Sequence, residues 1–287
     1  MSDWTIAGKT VLVTGATNGV GLAAAQEFAR RGADVVLVGR SAGRGEAALA
    51  AVRAAGAAGN HAFLRADFSL MGEVRAAADA FLASGRPLHV LVNNAGVMNA
   101  ERRLSDDGFE EMFAVNHLAH FLLTCRLLPL LQQAAPARIV HVASNAHHFC
   151  KEMRWDDLAL ANGYAAFPAY GHSKLANILF SNELARRFAG SGIVSNAMHP
   201  GGVATGIGKN NGVVARVATA IAKPFMRTPR KGAETAVWLA AEADAGSNGG
   251  YFIDRKPVTP RPWARDPDAA RRLWETSEQL LTRWSNP

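Results

Sequence analysis

The sequence predicts a single-domain α/β fold, a doubly wound parallel sheet with helices on both faces, spanning residues 1–287. Three observations carry that expectation. Short apolar runs recur along the chain as "TVLVT", "ADVVLVG", "HAFLRAD", "LHVLVNN", "RIVHVAS", "IVSNAMHP" and "GGYFID". Their hydrophobicity is continuous rather than alternating, as in strands covered on both faces. Longer stretches with helical spacing separate them, and two of these close on paired arginines followed by glycine, in "EFARRGAD" and "ELARRFAGSGI". Finally, the first run turns into its helix through "TGATNGVG", the glycine-rich strand-to-helix turn of a Rossmann sheet.

Composition narrows the class. The chain of 287 residues carries 31 Lys+Arg against 24 Asp+Glu, a net charge of +7. Most of that excess falls after residue 150, with no basic block of the kind that grips a phosphate backbone, so no nucleic-acid partner is expected. The two cysteines, Cys125 and Cys150, suit reduced thiols in a cytoplasmic protein. The opening "MSDWTIAGKT" has no apolar leader core, and no transmembrane segment is expected. His147, His148 and Cys150 in "HHFC", and His117 with His120, find no further residue at a spacing that completes a tetrahedral set, so no metal is expected. The acidic group Asp106, Asp107, Glu110 and Glu111 reads as helix N-terminal charge rather than chemistry.

Glycines at 15, 19 and 21 permit positive φ and close backbone approach to a pyrophosphate facing a helix N-terminus. Their G-x-x-x-G-x-G spacing differs from the commoner G-x-G-x-x-G. The second run ends in Gly39 and Arg40, with Arg44 a turn later, where a carboxylate would select the unphosphorylated ribose. An arginine without a carboxylate there selects NADP(H).

Tyr170 and Lys174 stand four apart in the helical segment "AYGHSKLANILF", hence on one helix face. An ammonium ~5 Å from a phenol at an effective dielectric of ~20 is worth ~3 kcal/mol, which predicts a tyrosine acidified by ~2 pKa units and fit for acid–base work. Tyr164 is a rival, but Pro168 stands where its lysine would be. Ser144, at the end of "RIVHVAS", is expected at the same edge of the sheet.

Taken together these pieces resemble the short-chain dehydrogenase/reductase family: T-G-A-T-N-G-V-G from Thr14, Asp67, N-N-A-G from Asn93, Asn116 in "FAVNHLAHF", Ser144, Y-G-H-S-K and "HPGGVAT", in the family's order over about residues 8 to 205. The resemblance implies that Gly15, Thr17, Asn18, Gly19, Val20 and Gly21 cradle the dinucleotide beside Arg40, and that Asp67 and Phe68 meet the adenine. It further implies Asn93, Asn94, Ala95 and Gly96 along the cleft, and Pro200, Gly201, Val203 and Thr205 at the nicotinamide. Tyr170 would exchange the proton, Ser144 would hold the substrate oxygen, Lys174 would hold the ribose and acidify Tyr170, and Asn116 would support a water relay. "YGHSKLANILFSNELARRF", the long interval between Ser144 and Tyr170, and "YFIDRK...ARRLWETSEQL" are similar to the retinol-dehydrogenase-like branch, with its WW-domain oxidoreductase relatives. The interval "NAHHFCKEMRWDDLALANGYAAFPA" is expected to shape one wall of the site.

The expected activity is hydride transfer between the nicotinamide and a carbonyl or alcohol carbon of a hydrophobic substrate. A non-catalytic cofactor-binding protein and a C=C reductase on the same scaffold stand as alternatives. Residues 203–231 hold Lys209, Arg216, Lys223, Arg227, Arg230 and Lys231 with no acidic residue between them, and Val213, Val217, Ala220, Ile221 and Pro224 give one apolar face. That pattern predicts a substrate lid with a basic face toward water or an anionic membrane surface, the alternative being a helix packed permanently at a subunit contact. Residues 257–287 read as a C-terminal extension, and a homo-oligomer, dimer or tetramer, is expected.

Overall fold

The computed structural model describes residues 4–56, 58–203, 226–242 and 248–285. Eight strands form one sheet: β1 (Thr10–Thr14), β2 (Asp34–Gly39), β3 (Ala62–Arg65), β4 (Val90–Asn93), β5 (Ala137–Val142), β6 (Ile193–His199), β7 (Tyr251–Ile253) and β8 (Lys256–Pro257). Their order is β3-β2-β1-β4-β5-β6-β7-β8, parallel except for the last pair. The seven apolar runs are the seven parallel strands. Central ones are buried on both faces, as with Val11, Leu12 and Val13 in β1, whereas β3 lies at the edge and is half-buried. Leu12 sits between Val36 and Leu91, so β1 and β4 flank the point where the strand order reverses. Crevices in such sheets open there, outside the carboxyl ends of the strands.

Helices α1 (Gly19–Arg30) and α2 (Ala42–Ala55) lie on one face with α7 (Pro229–Ala241). The other face carries α3 (Met71–Ala83), α4 (Glu111–Phe113), a five-residue π-helical turn at Ala114–Leu118, α5 (Ala119–Gln133), α6 (Ala166–Arg187) and α8 (Pro267–Ser285). The arginine-glycine endings behave as expected: α1 stops before Gly32 (φ 82°), and α6 before Gly190 (φ 80°) and Gly192 (φ 81°). Glu110 caps α4, accepting from the N–H groups of Met112 and Phe113 at 3.1 and 2.7 Å, while Asp107 accepts from Met71 N–H at 2.7 Å at the start of α3. Both carboxylates of the acidic cluster therefore serve helix starts. The continuous helix Glu111–Gln133 is long and apolar enough to cross a membrane, yet 78% of its most apolar window is buried inside the fold as a core helix.

Two features depart from the sequence reading. The hairpin β7–β8 turns through Asp254 (φ 51°) and Arg255 (φ 62°), two left-handed residues where Asn-Gly would be the usual signal. Residues 257–287 are more than an appendage: Leu273, Trp274 and Leu281 of α8 are buried in the same core as α5 and α6. Trp274 stacks on Phe121 and Phe180 at 5.0 and 5.7 Å.

Candidate active site

The carboxyl ends of β1, β4 and β5 deliver the site. The first surprise concerns the glycines. A Cβ on Gly15 (φ 63°) would lie 2.7 Å from Ala95 Cα, and one on Gly21 would lie 2.4 Å from Asn94 Nδ2 and 2.6 Å from the Gly15 carbonyl oxygen. The turn is thus pressed against the end of β4 before any ligand is considered. Asn94 ties the two together, its Nδ2 donating to the carbonyl oxygens of Thr14 (2.7 Å) and Gly15 (3.3 Å). Thr14 Oγ1 in turn accepts from Asn94 N–H at 2.8 Å and Ala95 N–H at 3.0 Å.

The residues present fit a dinucleotide. Asn18 at the start of α1 makes no side-chain cap and the first turn holds no acidic residue, so the helix N-terminus is left for an anion. Gly39 admits Thr17, whose Cγ2 would stand 2.6 Å from a Cβ there. Arg40 is exposed beyond β2, with Nη1 3.9 Å from Asp67 Oδ2. Two expected contacts change character. Phe68 turns its ring into the core, edge-on to His120 at 5.4 Å, so its side chain is spent on packing. Asn93 is likewise buried, donating to Thr124 Oγ1 at 2.9 Å, so the cleft is lined by Asn94, Ala95 and Gly96 instead. Val20 is buried against α7, where a Cβ on Gly232 would reach its Cγ2 at 3.1 Å.

Ser144 follows β5 and starts a short 3-10 turn, Asn145–Phe149. Its Oγ accepts from Ala146 N–H at 3.1 Å, which leaves the hydroxyl proton for a substrate oxygen. Gly171 brings α6 against that turn: a Cβ there would stand 2.4 Å from the Ala146 carbonyl oxygen. This close approach places Tyr170 and Ser144 at one edge.

Lys174 is 2% exposed and its Nζ donates to the Val142 carbonyl oxygen at 2.8 Å, 5.6 Å from the centre of the Tyr170 ring. The spacing is as the sequence implied, but the electrostatics are not. Burial lowers Lys174 to about 7 and pushes the Tyr170 phenol above its ordinary value. Desolvation removes much of the ammonium charge that was to acidify the phenol, and it penalises the phenolate as well. Acidification of Tyr170 therefore needs more than Lys174. Tyr164 is out of contention, because its hydroxyl donates to the Asn99 carbonyl oxygen at 2.9 Å.

Asn116 lies in the π-helical turn, fully buried. Its Oδ1 accepts from Val97 N–H at 2.8 Å, and Nδ2 donates to the Val97 carbonyl oxygen (3.0 Å) and to Ser173 Oγ (2.9 Å). Ser173 Oγ donates to the Tyr170 carbonyl oxygen at 2.8 Å. The side chain thus clamps the β4 loop to α6 and has no donor left for a relay water. The Asn116 backbone carbonyl oxygen accepts from His120 Nδ1 at 3.0 Å.

The interval between Ser144 and Tyr170 contributes Leu160 and Tyr164 to a small apolar cluster. Leu160, Tyr164 and Tyr170 group with Val97, Met98 and Met112, and Phe149 and Phe167 stack edge-to-face at 5.5 Å, both more than half exposed. Of the residues expected to meet the nicotinamide, Gly201 (φ 82°) and Val203 are described, and Val203 bridges to Arg227. Thr205 lies outside the described residues, as does residues 204–225 of the expected lid, with Lys209, Arg216 and Lys223. Of the basic residues after them, Arg227 is paired with Asp254 and Lys231 with Glu234 at 2.8 Å, so the basic face is partly neutralised by acids distant in sequence or just beyond the segment.

Sequence reasoning missed Val97, Ser173 and His120. The one available signal for His120 was a pair of histidines three apart just after Asn116 in an otherwise apolar helix.

The short chain dehydrogenase family model matches residues 9–213. Mouse (Mus musculus) retinol dehydrogenase 12 is 42% identical over 277 residues, 96% of this chain and 87% of the relative. Human (Homo sapiens) retinol dehydrogenase 11 is also 42% identical over 277 residues, 96% of this chain and 86% of the relative. Among solved structures, an uncharacterized protein from Mycobacterium paratuberculosis superposes with a TM-score of 0.77 at 34% identity, covering 98% of this chain and 96% of that one.

Proposed function

The chain belongs to the short chain dehydrogenase family, and from that premise we propose that it is an NADP(H)-dependent oxidoreductase acting on a carbonyl or alcohol carbon of an apolar substrate. The observation that carries the reading is the grouping of Ser144, Tyr170 and Lys174 at one sheet edge, with Asn116 clamping the loop after β4 to α6. Arg40 without a nearby β2 carboxylate supports the phosphorylated cofactor. The apolar cluster of Val97, Met98, Leu160 and Tyr164 supports a hydrophobic substrate, as do relatives named retinol dehydrogenases.

When bound, the nicotinamide supplies or accepts the hydride. The chain does the rest. Ser144 Oγ donates to the substrate oxygen, and Tyr170 Oη gives that oxygen its proton in reduction or takes it in oxidation. Lys174, fixed by the Val142 carbonyl, sets Nζ 5.6 Å from the centre of the Tyr170 ring and beside Gly96, where a Cβ would come 3.6 Å from Nζ.

A panel of apolar aldehydes, ketones, alcohols and enones, followed at the reduced-nicotinamide absorbance band with NADPH and NADH, tests this. Turnover of carbonyls or alcohols, faster with the phosphorylated cofactor, is expected. Reduction confined to the C=C bond of enones, or NADPH binding without turnover of any member, would overturn it.

A further inference from the structure

His120 sits wholly inside the protein, 1% exposed, and both ring nitrogens are used. Nδ1 lies 3.0 Å from the Asn116 carbonyl oxygen, which only accepts, so Nδ1 carries the proton. Nε2 is then bare and accepts from Thr14 Oγ1 at 3.0 Å. That commits the one hydroxyl proton of Thr14 to His120 rather than to the competing Val92 carbonyl oxygen at 3.3 Å, and turns the Thr14 lone pairs to the N–H groups of Asn94 and Ala95. The Phe68 ring, edge-on at 5.4 Å, fixes the imidazole plane. The bonds run without a gap from the glycine-rich turn through Thr14 and His120 to the backbone of Asn116, whose side chain holds Val97 and Ser173.

We propose that His120 is a positioning residue that locks the β1–β4 cofactor cleft to the π-helical turn carrying Asn116, so that the cleft and the acid–base group on α6 share one geometry. The His120 Nδ1–H reaches back one turn to the Asn116 carbonyl oxygen, and the other ring nitrogen is spent on the strand that bears the cofactor turn. His120 touches neither substrate nor cofactor, so its effect passes through Thr14 and Asn116.

The inference rests on the cofactor cleft proposed above, but its first readout needs no ligand. The Asn amide reaches the place of Nδ1 and the Gln amide that of Nε2, which separates the two bonds. Amide hydrogen exchange at Asn94, Ala95 and Val97 is measured with melting temperature in His120→Phe, His120→Asn and His120→Gln, followed by NADPH affinity from nucleotide fluorescence. His120→Phe should speed exchange at all three amides and weaken NADPH about tenfold. His120→Asn should keep Val97 protected and release Asn94 and Ala95 with the loss in NADPH affinity, whereas His120→Gln should protect Asn94 and Ala95, hold NADPH affinity and release Val97. His120→Phe within twofold of the parent in exchange and affinity, or Asn and Gln variants that shift all three amides together in step with melting temperature, would overturn the proposal. Should His120→Phe fail to fold, the opposed Asn and Gln patterns still decide. A parent protein that binds no NADPH yet shows the split in exchange would count against the cofactor reading and leave the lock standing.

Discussion

The two faces of the sheet are built on different principles. Against one, α1 and α7 pack through alanines, Ala24, Ala25 and Ala29 facing Ala233, Ala236 and Ala240, and the buried polar side chains of α1, α2 and α7 amount to the Thr235 hydroxyl. Against the other, the α4–α5 helix and α6 bury Asn116, His117, His120, Thr124, His172, Lys174 and Asn177. Small side chains let two helices lie close to the strands and to each other, which sets the glycine-rich turn in place. Buried polar groups hold only with partners, so the second face is tied by specific bonds, such as His117 Nε2 to Ser277 Oγ at 2.9 Å and Lys174 to Val142. The difference separates an apolar face from one that buries titratable groups, where burial lowers Lys174, His117, His120 and His172 below their ordinary values.

Breaking the alanine face should cost the most. Phe28→Ala, at a fully buried ring among those alanines, is expected to destabilise by about 3–5 kcal/mol in chemical denaturation, with an unchanged pH profile of stability. A pH-dependent loss would show that the faces are not independent.

The polar face predicts acid lability. Burial lowers His117 and His120 to about 3 and His172 to about 4, each below its ordinary value. As pH falls below about 6.5 the unfolded chain takes up protons that the folded chain refuses, so each histidine withdraws up to about 1.4 kcal/mol of stability per pH unit. Glu110, raised to about 7 by burial, has the opposite sign, since the folded state binds its proton first. His141, His147 and His199 are lowered by burial as well, so the losses outnumber the one gain and stability falls steeply between about pH 5.5 and 4.5. Urea denaturation across that range measures it, and a flat profile would mean that the histidines are not buried neutral.

Removing the transferable proton sharpens the contrast further. Tyr170→Phe should lower turnover ~10²-fold or more, about 2.7 kcal/mol, while melting temperature and NADPH affinity stay close to the parent, because Tyr170 Oη has no hydrogen-bond partner among the described residues. Near-parent turnover would remove Tyr170 from the reaction.

The smallest effect belongs to the edge of the alanine face. NADPH is expected to bind ~10-fold tighter than NADH, about 1.4 kcal/mol, and Arg40→Asp to erase or invert that preference. Equal affinities in the parent, by fluorescence titration, would show that Arg40 plays no part in selection.

The sequence by itself determined the sheet, its seven parallel strands, the helix endings and the shared helix face of Tyr170 and Lys174, because these follow from local signals. Continuous apolar runs, glycine after arginine, and the i, i+4 spacing of Tyr170 and Lys174 need no distant partner to be read. Only the tertiary structure decided what surrounds them. The hairpin at Asp254 and Arg255 lacks the glycine that would have marked it, and Asp254 owes its setting in part to Arg227, 27 residues earlier. Gly15 and Gly21 proved to be pressed by Asn94 and Ala95, about 80 residues on, and the same sheet closure set Lys174 under the Val142 carbonyl and stripped it of water. Spacing fixes which groups can meet, but dielectric and hydrogen-bond partners come from whatever the fold packs around them, and so the charge state of Lys174 and Tyr170, and the second bond of His120, were decided by tertiary structure alone.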